Sequence, residues 1–297
     1  MAIKKSMSQK VFNVCNIAFL GLFGFVAFYP FWYILIASFN AGNDFMKGGV
    51  YVIPRVFTID NYKRAFNSDQ IVDALMISLG RTGLGILLGL IFTTLFAYAL
   101  HTRSLPGRSF FVMYFYFTTI FSGGMIPYYI LLRDLGLTKS FFIYVIPSIF
   151  SFFNMILVRT FFDGIPGELR ESAVIDGAGE WRTFFRIYVP LSTPVMATIA
   201  LFIGVSHWND WFTGAYYVQN IKLFPAATLL QKILLEATAS QTIKIGQESS
   251  TTIKSSTVTP QSMQMAFVML LTMPIVVLYP FVQKYFVKGA MVGAIKG

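Results

Sequence analysis

Charged and metal-binding side chains are scarce in this 297-residue chain. Asp, Glu, Lys and Arg make up 12% of the residues, and the sequence holds one cysteine, Cys15, and two histidines, His101 and His207. One cysteine allows no internal disulfide bond, and so few sulfur and imidazole groups do not form a zinc-type cluster. We therefore expect no metal site.

Sequence motifs of nucleotide-binding and hydrolytic enzymes are also missing. The chain contains no G-x-x-x-x-G-K-[ST] phosphate-binding loop and no readable Ser/His/Asp set. We expect no catalytic residue, no cofactor bound by this chain and no enzymatic activity of its own. The net charge is +10, yet no soluble domain is present to carry a folded basic face, which argues against nucleic-acid binding.

The sequence consists largely of long apolar stretches. The composition is 56% hydrophobic and 17% aromatic, with a mean hydropathy of +0.64. Six stretches contain no Asp, Glu, Lys or Arg: residues 11–43, 82–102, 109–132, 140–158, 187–209 and 255–283. Each has the length of about 20 residues that spans a bilayer as a helix. Because backbone groups in lipid must pair within their own segment, and because these stretches do not alternate with period two, we predict an all-α membrane protein with six transmembrane helices.

Basic residues beside the apolar stretches predict their orientation. They lie before the first stretch, after the last, and in short connections that an even number of spans places on the same side: Lys4, Lys5, Lys10, Arg103, Arg108, Arg159, Arg170, Arg182, Arg186, Lys284, Lys288 and Lys296. By the positive-inside rule, we expect both termini and these connections in the cytoplasm. The same charges attract the anionic head groups of membrane lipids.

The predicted organisation follows from these stretches. Residues 1–10 form a cytoplasmic N-terminus, 11–39 an uncleaved first span, 71–286 a core of five helices, and 287–297 a cytoplasmic tail. The core includes a polar cytoplasmic segment at 166–190 and a long external loop at 219–262. The first apolar stretch is too long for the hydrophobic region of a signal peptide.

The polar segment 166–190 reads PGELRESAVIDGAGEWRTFFRIYVP. Pro166 suits the first turn of a helix, where Glu168 and Glu171 are favoured by the helix dipole. Gly177 suits a left-handed C-terminal cap, and a second helix is predicted from about Glu180. These residues leave two interpretations open: an amphipathic helix lying on lipid head groups, or a contact surface for a partner outside the membrane.

The spacing in this segment resembles the EAA loop of bacterial ABC importer permeases. The matching residues are Glu171, Ser172, Ala173, Asp176, Gly177, Ala178 and Pro190, with Ser172 and Val189 as departures from the Ala and Leu of the pattern. The resemblance extends from about residue 71 onward and is strongest to the MalG-type permeases of carbohydrate importers. The run GGMIPYYILLRDLGL and the closing VKGAMVGAIKG point within that family to the LplC-like and alginate- or pectin-importer branch.

The resemblance implies a type I ABC importer permease fold in the bacterial cytoplasmic (inner) membrane. It implies that the EAA segment is a cytoplasmic coupling helix that docks on a separate ATPase subunit. The implied partners are a MalF-like second permease subunit, two copies of the ATPase subunit and an extracytoplasmic solute-binding protein, with ATP and Mg bound by the ATPases. The implied cargo is an oligosaccharide, and the surplus of basic over acidic residues in the external loops favours an acidic one.

Two further regions take a role from the resemblance. The tail residues Gly289, Gly293, Lys296 and Gly297 resemble a C-terminus that reaches into the ATPase interface, the alternative being a frayed end. The external loop 219–262 matches in place a loop that contacts the binding protein, the alternative being a flexible linker.

Polar residues near the outer end of the fifth span form a weaker candidate. The run SHWNDWF places Trp208, Asn209, Asp210 and Trp211 at membrane depth or its edge, which suggests a substrate path or gate. The two tryptophans also fit interfacial anchors. Arg81, at the start of the second span, is expected to extend to the head groups.

A stand-alone secondary carrier or channel is the alternative function. That class needs paired ionisable residues within the spans, and the six charge-free stretches contain none. A membrane enzyme is a weaker option, because no catalytic cluster is readable.

Overall fold

The computed structural model describes residues 6–102, 104–244 and 258–294, with side chains except at 237–244, 278–279 and 281–294. Throughout these ranges the regular structure is helical, and the one extended pairing is an isolated bridge between Asn40 and Phe57. The predicted all-α class is therefore confirmed.

The α-helices of the described ranges follow one another with short connections. In chain order they are α1 (Met7–Ser38), α2 (Gly42–Phe45), α3 (Asp60–Phe66), α4 (Asp69–His101), α5 (Arg108–Ile120), α6 (Met125–Asp134), α7 (Phe152–Asp163), α8 (Gly167–Ile175), α9 (Glu180–Thr183), α10 (Val189–Leu191), α11 (Thr193–Asn209), α12 (Phe212–Tyr217), α13 (Ala226–Lys244) and α14 (Pro260–Ala294). Four 3₁₀ turns lie at Leu137–Lys139, Phe141–Tyr144, Ile146–Ser148 and Ile221–Leu223, and a π-helical turn at Phe184–Tyr188.

Three helices are long and apolar enough to cross a membrane unbroken: α1, α4 and the Pro260–Val277 part of α14. The other three predicted spans are bent pairs. α5 and α6 meet at 114°, Phe141–Ser148 and α7 at 46°, and Glu180–Leu191 and α11 at 80°. By length and composition, the described residues thus hold three spans, or six if each bent pair is one span.

The breaks correct the expectation of continuous helices, and local residues account for them. Between α5 and α6, Gly124 has φ +89°, a conformation that side chains with a Cβ disfavour. Ser151 accepts a hydrogen bond from the Asn154 amide and so begins α7 afresh. Pro194 lies in the first turn of α11, where its missing N–H is tolerated.

Within the predicted external loop 219–262 lies α13, a helix that the sequence analysis did not predict. The sequence AATLLQKILLEA is rich in Ala, Leu, Gln, Lys and Glu, which favour helices. Pro225 stands directly before the helix and marks its start.

Two compact units divide the chain. The first comprises the residues up to Ser68 together with Ile233–Thr272. Its centre is the buried Asn61, which donates hydrogen bonds to the carbonyl oxygens of Ser38 (2.9 Å) and Asn40 (3.0 Å). The Oδ1 atom of Asn61 accepts from the Ser262 hydroxyl at 2.9 Å, so the start of α14 is fastened to α3 within this unit.

The second unit comprises 69–232 and the residues from Met273 onward, and α4 is its central helix. α4 packs against both α7 and α11. The core between them contains buried residues from all three helices and from the π-helical turn: Ala97, Tyr98, Leu100, Met155, Val158, Phe162, Phe184, Tyr188, Ile199 and Ile203.

Glycines allow α4 and α11 to approach closely. A Cβ atom on Gly89 would lie 2.9 Å from Ile203 Cδ1, and one on Gly85 would overlap the His207 ring. On α11, a Cβ atom added to Gly204 would lie 3.0 Å from Ile86 Cδ1. Gly85 and Gly89 form the G-x-x-x-G spacing with which membrane helices pack. That signal was present in the sequence and was missed.

Candidate functional site

The polar segment 166–190 folds as two short helices joined at a glycine. Pro166 stands at the N-cap position of α8, one residue earlier than expected. After α8, Gly177 has φ +73°. Its amide donates to the Val174 carbonyl (3.0 Å), and the Ala178 amide donates to the Ala173 carbonyl (2.8 Å). This pair of bonds is the Schellman motif, and it confirms the left-handed cap predicted at Gly177.

The residues that match the EAA pattern lie mostly on the surface. Glu171, Ser172, Asp176 and Gly177 are exposed, as is Pro190, whereas Ala178 is half-buried. Ala173 alone is buried, with 9% of its surface accessible. None of the ion pairs between described residues includes Glu171. The structure thus keeps the Glu171 carboxylate accessible to a partner, and its role stays a prediction.

Polar contacts fasten the segment to α4, and α4 in turn to α7. The Tyr98 hydroxyl donates to Glu180 Oε2 at 2.5 Å, and Arg170 Nη2 donates to Glu180 Oε1 at 2.6 Å. His101 contacts Asp163 through Nδ1 (2.6 Å) and the Tyr188 hydroxyl through Nε2 (3.1 Å). We call these six residues the junction cluster: Tyr98, His101, Asp163, Arg170, Glu180 and Tyr188.

Aromatic packing and charge reinforce the junction cluster. The Tyr98 ring lies 5.1 Å from that of Phe184 and 5.0 Å from that of Tyr188, both of which are buried. The hydrogen bond to Glu180 raises the pKa of the Arg170 guanidinium above its usual value. Because Glu180 bonds to both helix α8 and helix α4, the cluster sets the direction of α8.

Removing the Tyr98 hydroxyl tests this attachment. We expect Tyr98→Phe to lower the free energy of unfolding by about 1 kcal/mol, because a hydrogen bond to a charged but partly solvated carboxylate is lost. Thermal unfolding of the purified protein in detergent measures the change. Tyr114→Phe, at an exposed ring of α5, is the matched control and should leave the unfolding temperature unchanged. Equal effects of the two variants would refute the attachment.

The outward side of the segment carries large apolar side chains. Ile175, the last residue of α8, is 85% exposed, and Trp181 and Phe185 are 67% and 59% exposed. The rings of Trp181 and Phe185 stack at 6.1 Å with 18° between their planes. Such a patch on a rigid polar segment is typical of a contact surface. Sequence reasoning had assigned no contact role to Ile175.

The four residues of the SHWNDWF candidate do not form one surface. Trp208 is buried and Asp210 is three-quarters buried, whereas Asn209 and Trp211 are exposed. Asp210 Oδ2 pairs with Arg81 Nη2 at 2.5 Å, and the Asp210 carbonyl accepts from Arg81 Nη1 at 3.0 Å. The pair therefore joins α4 to the end of α11.

Arg81 corrects the expectation that its side chain extends to the head groups. Only 2% of the side chain is accessible, and its guanidinium carbon lies 4.3 Å from the centroid of the Tyr144 ring. The Asp210 carboxylate and the face of the Tyr144 ring offset part of the cost of burying the guanidinium. The pairing partner is 129 residues away in sequence, so no local pattern could indicate it.

An open cavity of about 800 Å³ lies between the start of α7 and the last turns of α11. Its polar lining consists of Ser148, Ser151, Asn154, Ser206 and His207. The four candidate residues of the SHWNDWF run, Trp208 to Trp211, do not line this cavity. The cavity has the size of small-molecule sites, which range over roughly 300–1,000 Å³.

The remaining candidates can be placed in part. Gly289 and Gly293 lie within α14, while Lys296 and Gly297 lie outside the described residues. Over the part of the chain that the structure describes, no group of three or more His, Cys, Asp or Glu side chains is placed to hold a metal ion.

Comparisons with known proteins identify the class. No protein-family model matches the chain. A bacterial ABC transporter involved in the import of the acidic polysaccharide alginate contains a chain of the same fold, with a TM-score of 0.85 and 28% identity over 95% of this chain and 99% of that one. A second structure, of a bacterial alginate ABC transporter, shares the fold alone, with a TM-score of 0.57 and 16% identity. The fold is that of an ABC transporter permease.

Sequence relatives define the branch. LplC of Bacillus subtilis (strain 168) is 35% identical over 97% of this chain and 96% of its own length. The polygalacturonan/rhamnogalacturonan transport system permease YtcP of the same organism is 34% identical over 98% of this chain and all of its own. The chain belongs to the permease subunits of binding-protein-dependent carbohydrate ABC importers, in the LplC-like branch. It is a multi-pass membrane protein, as the family and its apolar helices require.

Proposed function

We propose that this chain is the permease subunit of an ATP-driven oligosaccharide importer, and that its segment 166–190 is the EAA coupling helix that docks on a separate ATPase subunit. One observation carries the proposal: α8 presents an accessible carboxylate and an exposed apolar end, at Glu171 and Ile175, on a segment tied to the spanning helices. A coupling element needs both properties, because force passes through it only if it binds a partner and is held firmly.

The chain's own residues supply the firm attachment. Glu180 bonds to Tyr98 of α4 and to Arg170 of α8, and Tyr188 bonds to His101 at the end of α4. A displacement of α8 therefore passes to α4 without an intervening flexible loop. The Gly177 cap adds a fixed bend between the two short helices.

The exposed patch supplies the binding surface. Ile175, Trp181 and Phe185 offer apolar area, and Glu171 offers a charge that pairs with a basic residue of a partner. The alternative, insertion of the patch among lipid head groups, uses the same apolar residues but does not require the Glu171 carboxylate.

The partners follow from the proposed class. We assign the chain a MalF-like second permease subunit, two copies of an ABC ATPase that bind ATP and Mg, and an extracytoplasmic solute-binding protein. The related alginate transporter was crystallised in complex with a pentasaccharide-bound periplasmic protein, which supports such an assembly. The tail from Gly289 to Gly297 is assigned to the ATPase interface, and the 219–262 region to binding-protein contact.

The membrane topology is part of the proposal. We assign six spans by counting each bent helix pair as one, and we place both termini and the 166–190 segment in the cytoplasm. The basic residues beside the spans support this orientation.

The cargo is assigned to the acidic oligosaccharides. Two relatives point that way: YtcP is a polygalacturonan/rhamnogalacturonan permease, and the structurally similar transporter imports alginate, an acidic polysaccharide. The surplus of basic residues in the external loops agrees with an anionic cargo.

Replacement of Ile175 tests the docking surface. We expect Ile175→Asp to weaken binding of the ATPase subunit more than tenfold, because burial of an isoleucine contributes about 2 kcal/mol and a charge now meets that site. Glu171→Ala should reduce binding as well. Co-purification of the permease pair with the cognate ATPase, and stimulation of ATP hydrolysis, measure both effects.

Ile53→Asp is the matched control, because Ile53 is also largely exposed but lies between the first two spans, on the side that the proposed topology places outside the cytoplasm. It should leave ATPase binding unchanged. Normal binding by Ile175→Asp and Glu171→Ala, with both variants inserted in the membrane, would overturn the assignment of the segment.

A further inference from the structure

We propose that a groove between α5 and α7 binds an anionic phospholipid, with its phosphate on the guanidinium groups of Arg108 and Arg159 and an acyl chain along the apolar wall. The groove has a volume of about 460 Å³. None of its described lining residues belongs to the segment 166–190 or to the cavity at His207. The proposal rests on the membrane topology assigned above, but not on the cargo or on the docking of the ATPase.

The groove has a charged end and an apolar wall. Arg108 and Ser109 stand in the first turn of α5, and Arg159 stands in the last turns of α7. The other lining residues are Val112, Met113, Tyr116 and Phe152. The rings of Tyr116 and Phe152 contact each other at the apolar end, with their centroids 6.0 Å apart. Tyr116 lies about 12 Å along α5 from Arg108, at 1.5 Å per residue.

The positions of the two arginines in the sequence place the charged end at the edge of the bilayer. Arg108 directly precedes the charge-free stretch 109–132, and Arg159 directly follows the charge-free stretch 140–158. In the assigned topology both side chains therefore lie at the level of the cytoplasmic head groups, and the apolar wall lies in the hydrocarbon region. Basic pockets between spanning helices on this side of a membrane are suited to anionic head groups.

Both guanidinium groups have donors left for a ligand. Arg108 donates its Nε–H to the Leu100 carbonyl (2.7 Å), which leaves its Nη groups, and no ion pair between described residues includes it. Arg159 Nε has no hydrogen-bond partner among the described residues, and Asp163 Oδ2 lies 3.9 Å from it. The closer contact of Asp163 is with His101, at 2.6 Å. A phosphate between the arginines gains charge-assisted hydrogen bonds, which are the stronger kind.

The composition of the lining selects the kind of lipid. Two guanidinium groups and the Ser109 hydroxyl are present, whereas none of the described lining residues is Asp or Glu. The ammonium group of phosphatidylethanolamine therefore finds no counter-charge in the groove, while phosphatidylglycerol brings a phosphate and neutral hydroxyls. A free phosphate ion matches the arginines but leaves the apolar wall, with Val112 and Met113, uncovered. Phosphatidylglycerol matches both ends of the groove.

A bound lipid also supports α5, which the rest of this chain holds only loosely. The structure describes every residue of α5, and none of them is buried. Val112 and Phe115 are the residues of α5 that pack against the core of the second unit. A lipid that contacts both α5 and α7 binds the folded protein alone, so it should raise the unfolding temperature.

Photo-crosslinking in the complete importer tests the proposal. A phosphatidylglycerol with a diazirine on one acyl chain is added to the importer in detergent, and the modified residues are mapped by mass spectrometry. We expect cross-links at Val112, Met113 and Phe152. Unlabelled phosphatidylglycerol should compete at about tenfold lower concentration than phosphatidylethanolamine with the same chains, because only the former lacks the ammonium group. Glycerol phosphate, a head group without a chain, should not compete at these concentrations.

Substitution of the two arginines supplies the matched comparison. Arg108→Gln combined with Arg159→Gln should raise the lipid concentration for half-maximal cross-linking about tenfold, because the charge-assisted bonds to the phosphate are lost. Lysine at both positions keeps the charge and should keep the preference for phosphatidylglycerol, with weaker binding. Lys139→Gln combined with Lys222→Gln removes two charges from exposed positions elsewhere and should change nothing. Phosphatidylglycerol should raise the unfolding temperature of the unmodified importer more than that of the glutamine variant.

The outcomes separate the lipid site from the function of the importer. Equal competition by the two phospholipids in the unmodified importer, or cross-links confined to other helices, would overturn the site. Cross-links in the isolated chain that are absent from the complete importer would overturn it too, because a partner subunit then covers the groove. These measurements need neither sugar nor ATP, so failed uptake would leave the site standing.

The topology on which the site rests has its own test. In a Cys15→Ser background, Ser109→Cys should react with a membrane-impermeant thiol reagent only after the cells are opened, because the first turn of α5 is placed on the cytoplasmic side. Reaction in intact cells would overturn the assigned topology, and with it the placement of the groove at the cytoplasmic leaflet.

Discussion

Alanine at Gly177 should reduce ATP-driven uptake about tenfold while the protein still inserts in the membrane. Gly177 has φ +73°, and an alanine in the left-handed region costs about 1–2 kcal/mol. The backbone relaxes to relieve this strain, which weakens the two hydrogen bonds of the cap. As a result, α8 loses its fixed direction relative to α9. Uptake and ATP hydrolysis should be measured together in proteoliposomes. We expect ATP hydrolysis to continue while less sugar is transported for each ATP hydrolysed.

Gly179→Ala is the control for this prediction. Gly179 lies two residues further on, has φ −72°, and a Cβ there would meet no atom within 4 Å. An alanine at this position needs no change of backbone, so uptake should be normal. If both variants transported sugar at the unmodified rate, the cap would have no part in coupling.

Loss of the Asp210 carboxylate should have the largest effect on stability. Arg81 is 2% exposed, and Asp210→Ala leaves its charge buried without a counterion. Breaking a buried pair from one side costs about 3 kcal/mol or more, because the remaining charge is uncompensated. Thermal unfolding in detergent should show the loss as a markedly lower midpoint.

Two further variants test whether the unpaired Arg81 charge causes the loss of stability. Arg81→Met combined with Asp210→Ala removes both charges and should recover part of the stability. Asp134→Ala breaks the exposed pair with Arg133 and should change the free energy of unfolding by less than about 1 kcal/mol. An Asp210→Ala variant as stable as Asp134→Ala would contradict the structural role of the buried pair.

Local sequence signals were sufficient for the parts of the fold that local chemistry determines. Charge-free length predicted apolar helices at α1, α4 and α14, and proline and glycine predicted the ends of α8. The Gly177 cap was predictable because only a glycine takes that conformation without strain. The helix breaks near Gly124 and Pro194 were missed, although glycine and proline marked both of them.

Contacts between residues far apart in the sequence could not be predicted from the sequence alone. Arg81 and Asp210 each lie one residue outside a charge-free stretch, so scanning those stretches did not show the ion pair. Their pairing depends on how α4 packs against α11, which a single sequence does not specify. The same holds for the contact of Tyr98 with Glu180 and for the cavity at His207.

The buried Arg81–Asp210 pair is a feature that the alternative function, a stand-alone secondary carrier, would also have. A secondary carrier uses paired ionisable groups within its spans, and this pair is of that kind. The exposed α8 surface and the family favour the importer, because a carrier that works alone has no need of a docking helix. The energy source of transport distinguishes the two.

Reconstituted transport is the most direct test of the central claim. The chain, its second permease subunit and the ATPase are placed in liposomes, with the solute-binding protein and labelled trigalacturonate outside. The account predicts uptake only when the ATPase and hydrolysable ATP are both present inside. Uptake at the same rate in liposomes without the ATPase subunit would contradict it.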